Sequence, residues 1–183
     1  MIMNIILLGV QGSGKSTQGN LLSNSLNVPY LSTGHIFRNL AKEDTLLGRE
    51  IKKLMTEGLL IPDDKTFEIV TDYLTRPEYQ NGFILDGYPR NIVQAESFPT
   101  RIDKVVYIDV SDKEARGRIE GRNANKDQIR PDDTPEAITR RIDIFHKFTK
   151  PLLEYYKNKG FLVEVNGEQS VDKIHKEILE KLK

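Results

Sequence analysis

Nine residues near the beginning of the chain, Gly9 to Thr17, have the residue types and spacing of a phosphate-binding loop. They match the pattern Gly-x-x-x-x-Gly-Lys-[Ser/Thr] and follow the apolar run Ile5 to Leu8, which predicts a β-strand. Glycines let the loop backbone turn its N–H groups toward a polyphosphate, and the helix predicted after the loop would present its positive end. We expect Lys15 to reach the β- and γ-phosphates and the Ser16 hydroxyl to lie near Mg²⁺. The alternative is a glycine-rich turn that binds nothing.

A second candidate follows another apolar run, Phe83 to Leu85, which ends directly in Asp86. A carboxylate at the carboxyl end of a buried strand can hold Mg²⁺, or its water ligands, against a nucleotide. The other interpretation of Asp86 is a structural cap of a helix or turn. Arg90 follows a proline-containing turn, and we expect it to point into the same crevice.

Six arginines are concentrated between residues 116 and 141. They are Arg116, Arg118, Arg122, Arg130, Arg140 and Arg141. Arg118 and Arg122 are spaced i, i+4 on a predicted helix and therefore share one face. The planar guanidinium group suits phosphoryl oxygens. A solvated surface with ion pairs is the other interpretation, because Asp132, Asp133 and other carboxylates are close in sequence. The nearby phosphate loop favours phosphate binding.

Length and composition indicate one domain that acts on small molecules. The 183 residues are 38% hydrophobic and 30% charged, and the 27 Lys and Arg balance the 27 Asp and Glu. Such a chain has no global basic field to hold nucleic acid or an anionic membrane. The absence of cysteine excludes disulfides, thiol chemistry and a cysteine zinc site. Residues 1–9 lack the features of a signal segment, so we expect a first strand and a cytoplasmic protein.

Short apolar runs alternate with longer helix-compatible stretches, which predicts a parallel sheet with helices on both faces. Ligands of such folds gather at the carboxyl ends of the strands. Ser111 with Glu114, and Thr134 with Pro135, are typical of helix starts. Residues 34–75 show helical patterns without a strand, and residues 123–133 form a polar, turn-prone stretch. We expect both stretches to close over substrates and exclude water.

Together these residues resemble the adenylate kinases, a family of nucleoside monophosphate kinases, and the resemblance covers nearly the whole chain. Ser32-Thr33-Gly34 with Arg38 is similar to the family's monophosphate-binding motif. Asp86-Gly87-Tyr88-Pro89-Arg90 with Gln94 is similar to its next signature, and Arg118 to Arg122 resembles the start of the family's lid. Arg130, Asp132, Asp133 and Arg141 follow at the family's relative spacing.

The resemblance implies an α/β fold with a doubly wound, five-stranded parallel sheet of the P-loop NTPase type. It implies a single kinase domain over residues 1–183, with a helical monophosphate-binding flap at 32–61 and a short lid at 121–131. The reaction would be Mg²⁺-dependent phosphoryl transfer from ATP to AMP, giving two ADP. The enzyme would be a monomer whose partners are these nucleotides, and neither nucleic acid nor a membrane. The short lid has no metal ligands of its own, so no structural zinc is expected.

The resemblance also assigns site residues, position by position. The ATP-binding set is Gly12, Ser13, Gly14, Lys15, Ser16, Thr17, Arg122 and the backbone near Gln169. The AMP-binding set is Thr33, Arg38, Leu59, Leu60, Ile61, Gly87, Tyr88, Pro89, Arg90, Gln94, Arg130 and Arg141. The catalytic set is Lys15, Asp86, Arg90, Arg122, Arg130 and Arg141, and Ser16 and Asp86 would hold Mg²⁺ directly or through water.

Two positions depart from the family's pattern. His35 stands where the family usually has an acidic residue, which weakens a favourable interaction with a helix N-terminus worth about 0.3–1 kcal/mol and would affect the rate more than the reaction class. The alternative is a tolerated, exposed histidine without functional meaning. Ser16 stands where adenylate kinases commonly have glycine, so a direct contact between its hydroxyl and Mg²⁺ becomes possible.

Three other functions remain in competition. A pyrimidine monophosphate kinase shares the fold, but Thr33 and Gln94 resemble the adenine-selecting positions. A GTPase switch would need an Asn-Lys-x-Asp motif, and neither Asn125-Lys126-Asp127-Gln128 nor Asn158-Lys159-Gly160-Phe161 fits it. The third alternative is a regulatory nucleotide-binding module that has lost catalytic activity, and His35 is the only residue that suggests it. The presence of Lys15, Asp86 and the arginines argues against a loss of activity.

Overall fold

A computed structural model describes residues 3–124 and 129–183, and these contain one five-stranded parallel sheet with helices around it. The strand order is β2-β3-β1-β4-β5. The strands are β1 (Asn4–Leu8), β2 (Tyr30–Ser32), β3 (Phe83–Asp86), β4 (Lys104–Asp109) and β5 (Leu162–Asn166). The predicted α/β fold with a doubly wound parallel sheet is confirmed, and each strand overlaps a short apolar run of the sequence.

The helices occupy the stretches between the strands. They are α1 (Lys15–Leu26), α2 (Thr33–Leu40), α3 (Leu46–Thr56), α4 (Asp63–Leu74), α5 (Ile92–Glu96), α6 (Asp112–Ala124), α7 (Pro135–Ile144), α8 (Pro151–Asn158) and α9 (Val171–Lys181). A 3-10 turn (Pro77–Tyr79) precedes β3, and a π-helical turn (Phe145–Thr149) joins α7 to α8. None of these helices is both long and apolar enough to span a bilayer.

Burial on both faces explains why the strands are nearly continuous apolar runs. Residues 5–8 of β1 and all four residues of β3 are buried. Side chains from β1, β4 and β5 pack against α1, α6, α8 and α9 in one hydrophobic cluster. Strands β1 and β3 therefore lie between layers of helices. Their buried backbones fix the positions of the loops that follow them.

The chain between β2 and β3 forms a helical layer with its own hydrophobic cluster. Helices α2, α3 and α4 contribute Ile36, Ile51 and Val70 to this cluster, and β3 contributes Phe83 and Leu85. Ser32 caps α2 and Thr45 caps α3 through hydrogen bonds to backbone N–H groups. The sequence-based prediction that residues 34–75 are helical is thus correct, and this layer packs on the edge of the sheet that carries β2 and β3.

The register of the parallel strands brings three carboxyl ends to the same level. Leu7 of β1 pairs with Asp86 of β3, and Ser32 of β2 pairs with the same residue. After β1 the chain crosses to β2 at one edge of the sheet, and after β3 it crosses to β4 on the opposite side of β1. Connections that diverge in this way leave a crevice at the carboxyl ends of β1 and β3, where ligands of such folds bind. The glycine-rich loop, the start of α2 and Asp86 therefore meet at one place.

Candidate active site

The glycine-rich loop lies between β1 and α1 and exposes the N-terminus of that helix. Gly12 and Gly14 have φ values of 90° and 94°, a region that side-chain-bearing residues rarely adopt. A Cβ on Gly12 would also collide with the carbonyl oxygen of Ala115. Helix α1 has neither a side-chain cap nor an acidic residue in its first turn. Its first N–H groups and the positive end of its dipole are thus available for an anion.

Lys15 folds back over the loop. Its ammonium donates hydrogen bonds to the carbonyl oxygens of Gly9 (2.7 Å) and Val10 (2.9 Å) and lies 3.4 Å from the Ser13 hydroxyl. Burial of the ammonium lowers the pKa of Lys15 to about 8, and the Asp86 carboxylate opposes that shift. A partly buried cation held by carbonyl dipoles would gain a stronger partner if a phosphate entered.

Asp86 is only 6% exposed and shares one carboxylate oxygen between two hydroxyls. Its Oδ2 accepts a hydrogen bond from the Tyr30 hydroxyl at 2.9 Å and one from the Ser16 hydroxyl at 3.5 Å. Among the described residues, no hydrogen bond ends on Oδ1. The site thus offers a hydroxyl and a carboxylate side by side, and these hard oxygen donors fit Mg²⁺, which binds proteins through one or two carboxylates and keeps waters and phosphates as its other ligands.

Arg90 is fixed at three points on the turn after β3. Its backbone N–H donates to Gln94 Oε1 (2.7 Å), its Nε donates to the Gly87 carbonyl (2.7 Å), and its carbonyl accepts from the Thr149 hydroxyl (2.8 Å). Burial lowers the pKa of Arg90, and the Arg141 charge lowers it further. The backbone of Arg90 is thus anchored at two points, and one guanidinium nitrogen is held at the Gly87 carbonyl in a region that contains other arginines.

Two buried carboxylates, Asp132 and Asp133, form ion pairs with Arg122 and Arg141 beside the phosphate loop. Asp133 pairs with Arg122 and, at 3.4 Å, with Arg141, while Asp132 pairs with Arg141 at 2.6 Å. The Gln11 amide of the phosphate loop donates to Asp133 at 2.7 Å. Ion pairing and phosphate binding, which were alternatives for these arginines, are thus compatible, because the paired guanidinium groups still line the cleft.

These elements enclose a single cleft of about 400 Å³ that contains most of the predicted site residues. From the ATP-binding and metal sets it is lined by Gly12, Gly14, Lys15, Ser16, Thr17, Asp86 and Arg122. From the AMP-binding set it is lined by Arg38, Leu59, Leu60, Ile61, Gly87, Pro89, Arg90, Gln94, Arg130 and Arg141. Burial lowers the pKa of Arg130, and the Arg122 and Arg38 charges lower it further, so the cations from both sets are close enough to repel one another.

Four predicted residues do not line the cleft. Ser13, Thr33 and Tyr88 are fully buried beneath it, and the Thr33 hydroxyl donates to the Asp86 carbonyl at 3.2 Å. The Gln169 amide turns away to Asn166 and Glu177. The predicted lid, residues 121–131, includes residues 125–128, which lie outside the described part of the chain.

Several contributors to the site were missed by sequence reasoning. Tyr30 binds Asp86, Asp63 binds Gln94, and Gln11 binds Asp133. Arg118, by contrast, was already grouped with Arg122 by the sequence, and it lines the cleft and donates to the Gly167 carbonyl at 2.8 Å. The i, i+4 spacing of Arg118 with Arg122 was the signal for that residue, whereas the three missed contacts join residues 31 to 122 positions apart.

A phosphate loop after the first strand, a carboxylate at the end of a neighbouring strand and a set of cleft arginines define a P-loop protein of the NTPase class with room for a second anion. The family model described as "Adenylate kinase" matches residues 7–161. Adenylate kinases of Caldicellulosiruptor bescii and Acetivibrio thermocellus are 37% and 38% identical over 212 aligned positions, which cover 98% of this chain and 99% and 98% of the relatives. The adenylate kinase of Oenococcus oeni is 41% identical over 182 positions, with 93% of this chain and 94% of the relative covered.

The chain therefore belongs to the adenylate kinase family, as its motifs predicted, and it is a nucleoside monophosphate kinase. The alignments of 212 positions exceed the 183 residues of the chain, so those relatives contain segments that this chain lacks.

Proposed function

We propose that the protein transfers a phosphoryl group reversibly from ATP to AMP, giving two ADP, and that it requires Mg²⁺. One observation carries the proposal: the glycine-rich loop with Lys15 opens into the same cleft as a second group of arginines, in the region where an acceptor phosphate would bind. A protein that only bound or hydrolysed one nucleotide would have no need of this second region. The names of the relatives support the same reaction.

The chemistry requires charge neutralisation more than bond-making groups, because one anion must approach another. Lys15, Arg90 and Arg122 supply positive charge that can follow the transferring phosphoryl oxygens, and no protein nucleophile is needed. Backbone carbonyls anchor Lys15 and Arg90, and a buried carboxylate anchors Arg122. These side chains therefore need to move less to reach the geometry of the transition state. When bound, Mg²⁺ would neutralise phosphate charge further, held by Asp86 and Ser16.

The two nucleotides would divide the cleft. We propose that the loop from Gly12 to Thr17, with Arg122, holds the ATP phosphates, and that Arg38, Arg90, Arg130 and Arg141 hold the AMP phosphate. Residues 32–61 would form the monophosphate-binding flap and residues 121–131 the lid of the single kinase domain. Closure of both would exclude water, which is otherwise a competing phosphoryl acceptor.

Adenine selection would rest on Gln94 more than on Thr33. The Gln94 side chain lines the cleft and can offer one N–H and one carbonyl lone pair beyond its internal bonds. The Thr33 hydroxyl is fully buried and already donates to the Asp86 carbonyl. Thr33 would then shape the floor of the site and leave the hydrogen bonds with the base to Gln94.

A coupled assay of purified protein tests this function. Given ATP and Mg²⁺, the protein should phosphorylate AMP with kcat/KM at least about tenfold above that for UMP, CMP or GMP, because a wrong base leaves buried polar groups unpaired. Chelation of Mg²⁺ should abolish turnover. Chelation without nucleotide should leave the thermal midpoint unchanged, since the described residues contain no cluster of metal-ligating side chains. Equal or better use of UMP or CMP would reject the AMP assignment.

A further inference from the structure

Both ends of the Gln94 side chain are held by fixed partners. Its Oε1 accepts the backbone N–H of Arg90 at 2.7 Å, and its Nε2 donates to Asp63 Oδ1 at 2.6 Å. Asp63 is itself held by Asn91, whose amide donates to both carboxylate oxygens at 3.1 and 2.9 Å. Asn91 Oδ1 in turn accepts the Gln94 backbone N–H at 2.8 Å. The network closes on itself around a side chain that is only 3% exposed.

These partners determine which way the Gln94 amide faces. A backbone N–H can only donate and a carboxylate can only accept, so Oε1 must face Arg90 and Nε2 must face Asp63. A rotation of the amide by 180° would place two donors together at Arg90 and two acceptors together at Asp63. The second clash involves a full charge, and hydrogen bonds to charged groups are about twice as strong as neutral ones. Asp63 is therefore the larger obstacle to rotation.

A fixed amide can distinguish purines by the group at position 6. Adenine presents an amino donor there and a ring acceptor beside it, whereas a 6-oxo purine presents an acceptor and a ring N–H donor. One orientation of a glutamine amide matches the first pattern, and the rotated orientation matches the second. A glutamine that turned freely would accept both kinds of base.

We propose that Asp63 is a positioning residue that locks the Gln94 amide and thereby makes the acceptor site selective for a 6-amino purine over a 6-oxo purine. This inference rests on the proposed function, in which AMP occupies the cleft beside Gln94. Asp63 stands at the first position of α4, so the selective element belongs to the helical layer, while Gln94 belongs to the helix after β3.

The test compares AMP with inosine 5′-monophosphate (IMP), which carries the 6-oxo group without the 2-amino group of guanine. Asp63→Asn keeps the shape but adds a donor that a rotated Gln94 can meet. Asp64→Asn is the matched control, because it removes the same charge from the same helix turn. Asp64 is exposed, and among the described residues the Gln94 amide donates to Asp63 and not to Asp64. Calorimetric Kd values for both nucleotides, measured without ATP, accompany kcat/KM, and circular dichroism checks the fold.

We expect the AMP-to-IMP ratio of Kd and of kcat/KM to fall about tenfold in Asp63→Asn, mainly through tighter binding of IMP. The ratio in Asp64→Asn should stay within about twofold of the unmodified protein. An unchanged ratio in Asp63→Asn, or equal changes in both variants, would overturn the inference and leave the proposed function intact. If the unmodified protein fails to prefer AMP over IMP, the adenine assignment fails and the inference with it.

Discussion

Lys15 and Arg90 are two partly buried cations at the floor of the cleft. Each donates a hydrogen bond to a backbone carbonyl of its own loop. We predict that Lys15→Met and Arg90→Ala each lower kcat by about 10²–10³, because each removes a preorganised donor. Steady-state kinetics gives the measurement, and unchanged circular dichroism shows that the fold is intact. Lys157→Met, on the exposed end of α8, is the control and should leave kcat unaltered. Near-normal turnover in either site variant would mean that the phosphates lie elsewhere.

The lowered pKa of Lys15 predicts proton uptake on nucleotide binding. Burial lowers this pKa to about 8, so a large part of the free protein has a neutral amine at pH 8.5. A bound polyphosphate stabilises the ammonium and raises the pKa, so binding must take up a proton above pH 8 and almost none at pH 6.5. Calorimetry of ATP binding in two buffers of different ionisation enthalpy measures the uptake. It should vanish in Lys15→Met, and equal uptake at both pH values would contradict the assignment.

At the residue scale, the sequence predicts those site residues that belong to short local motifs. The phosphate loop and Asp86 come at the ends of apolar runs that mark β1 and β3, so the sequence alone predicts their positions. The contact between Gln11 and Asp133 spans 122 positions, and no local pattern encodes it. The burial of Thr33 was also beyond prediction, because it depends on the close approach of β2 to β3.

At the scale of elements, Asp133 joins α6, α7 and the phosphate loop. Its carboxylate is fully buried and contacts Arg122, Arg141 and Gln11. We predict that Asp133→Ala lowers the free energy of unfolding by about 3 kcal/mol, because it leaves two partly buried guanidinium groups without their shared partner. Urea denaturation gives the measurement. Asp143→Ala, at an exposed position of α7, should change the free energy by less than about 0.5 kcal/mol. Equal stability of the two variants would show that the buried pairs contribute nothing.

The elements themselves were largely predictable, since the signals at their ends are local. Thr134 and Pro135 start α7 as expected, and the Thr134 hydroxyl accepts the Ala137 N–H at 3.2 Å. Ser111 likewise accepts the N–H of Glu114 at 3.4 Å before α6. The π-helical turn at Phe145–Thr149 has no comparable local signal in the sequence, and its last residue donates a hydrogen bond to the Arg90 carbonyl across the fold.

At the scale of the whole molecule, the helical layer and the segment after α6 should respond together to ligands. We predict that hydrogen exchange in residues 34–75 and 129–133 slows when a bisubstrate analogue, two adenosines joined by a polyphosphate, fills the cleft. The reason is that Arg38 and Arg130 gain phosphate partners, which stabilises the closed arrangement. Exchange in β1 and β4, buried between helix layers, is the internal control. Unaltered protection in both ranges would contradict the closure of two flaps.

The same analogue should bind more tightly than ATP or AMP alone. It supplies both anion-binding regions for one cost of association, so its Kd should lie at least about 10²-fold below that of either nucleotide. Competition calorimetry measures the difference. An affinity equal to that of ATP would favour a single open nucleotide site.

Positive charge is concentrated in the cleft, and this affects the rate at which anionic ligands associate with the protein. The protein has no net charge at pH 7, yet among the described residues seven cationic side chains and only two carboxylates line the cleft. The rest of the chain is therefore net negative. A field of this shape draws a small polyanion toward the opening and speeds its encounter, and salt weakens the effect. Overall neutrality is therefore compatible with a locally positive cleft, and the association rate of a nucleotide should fall as the salt concentration rises.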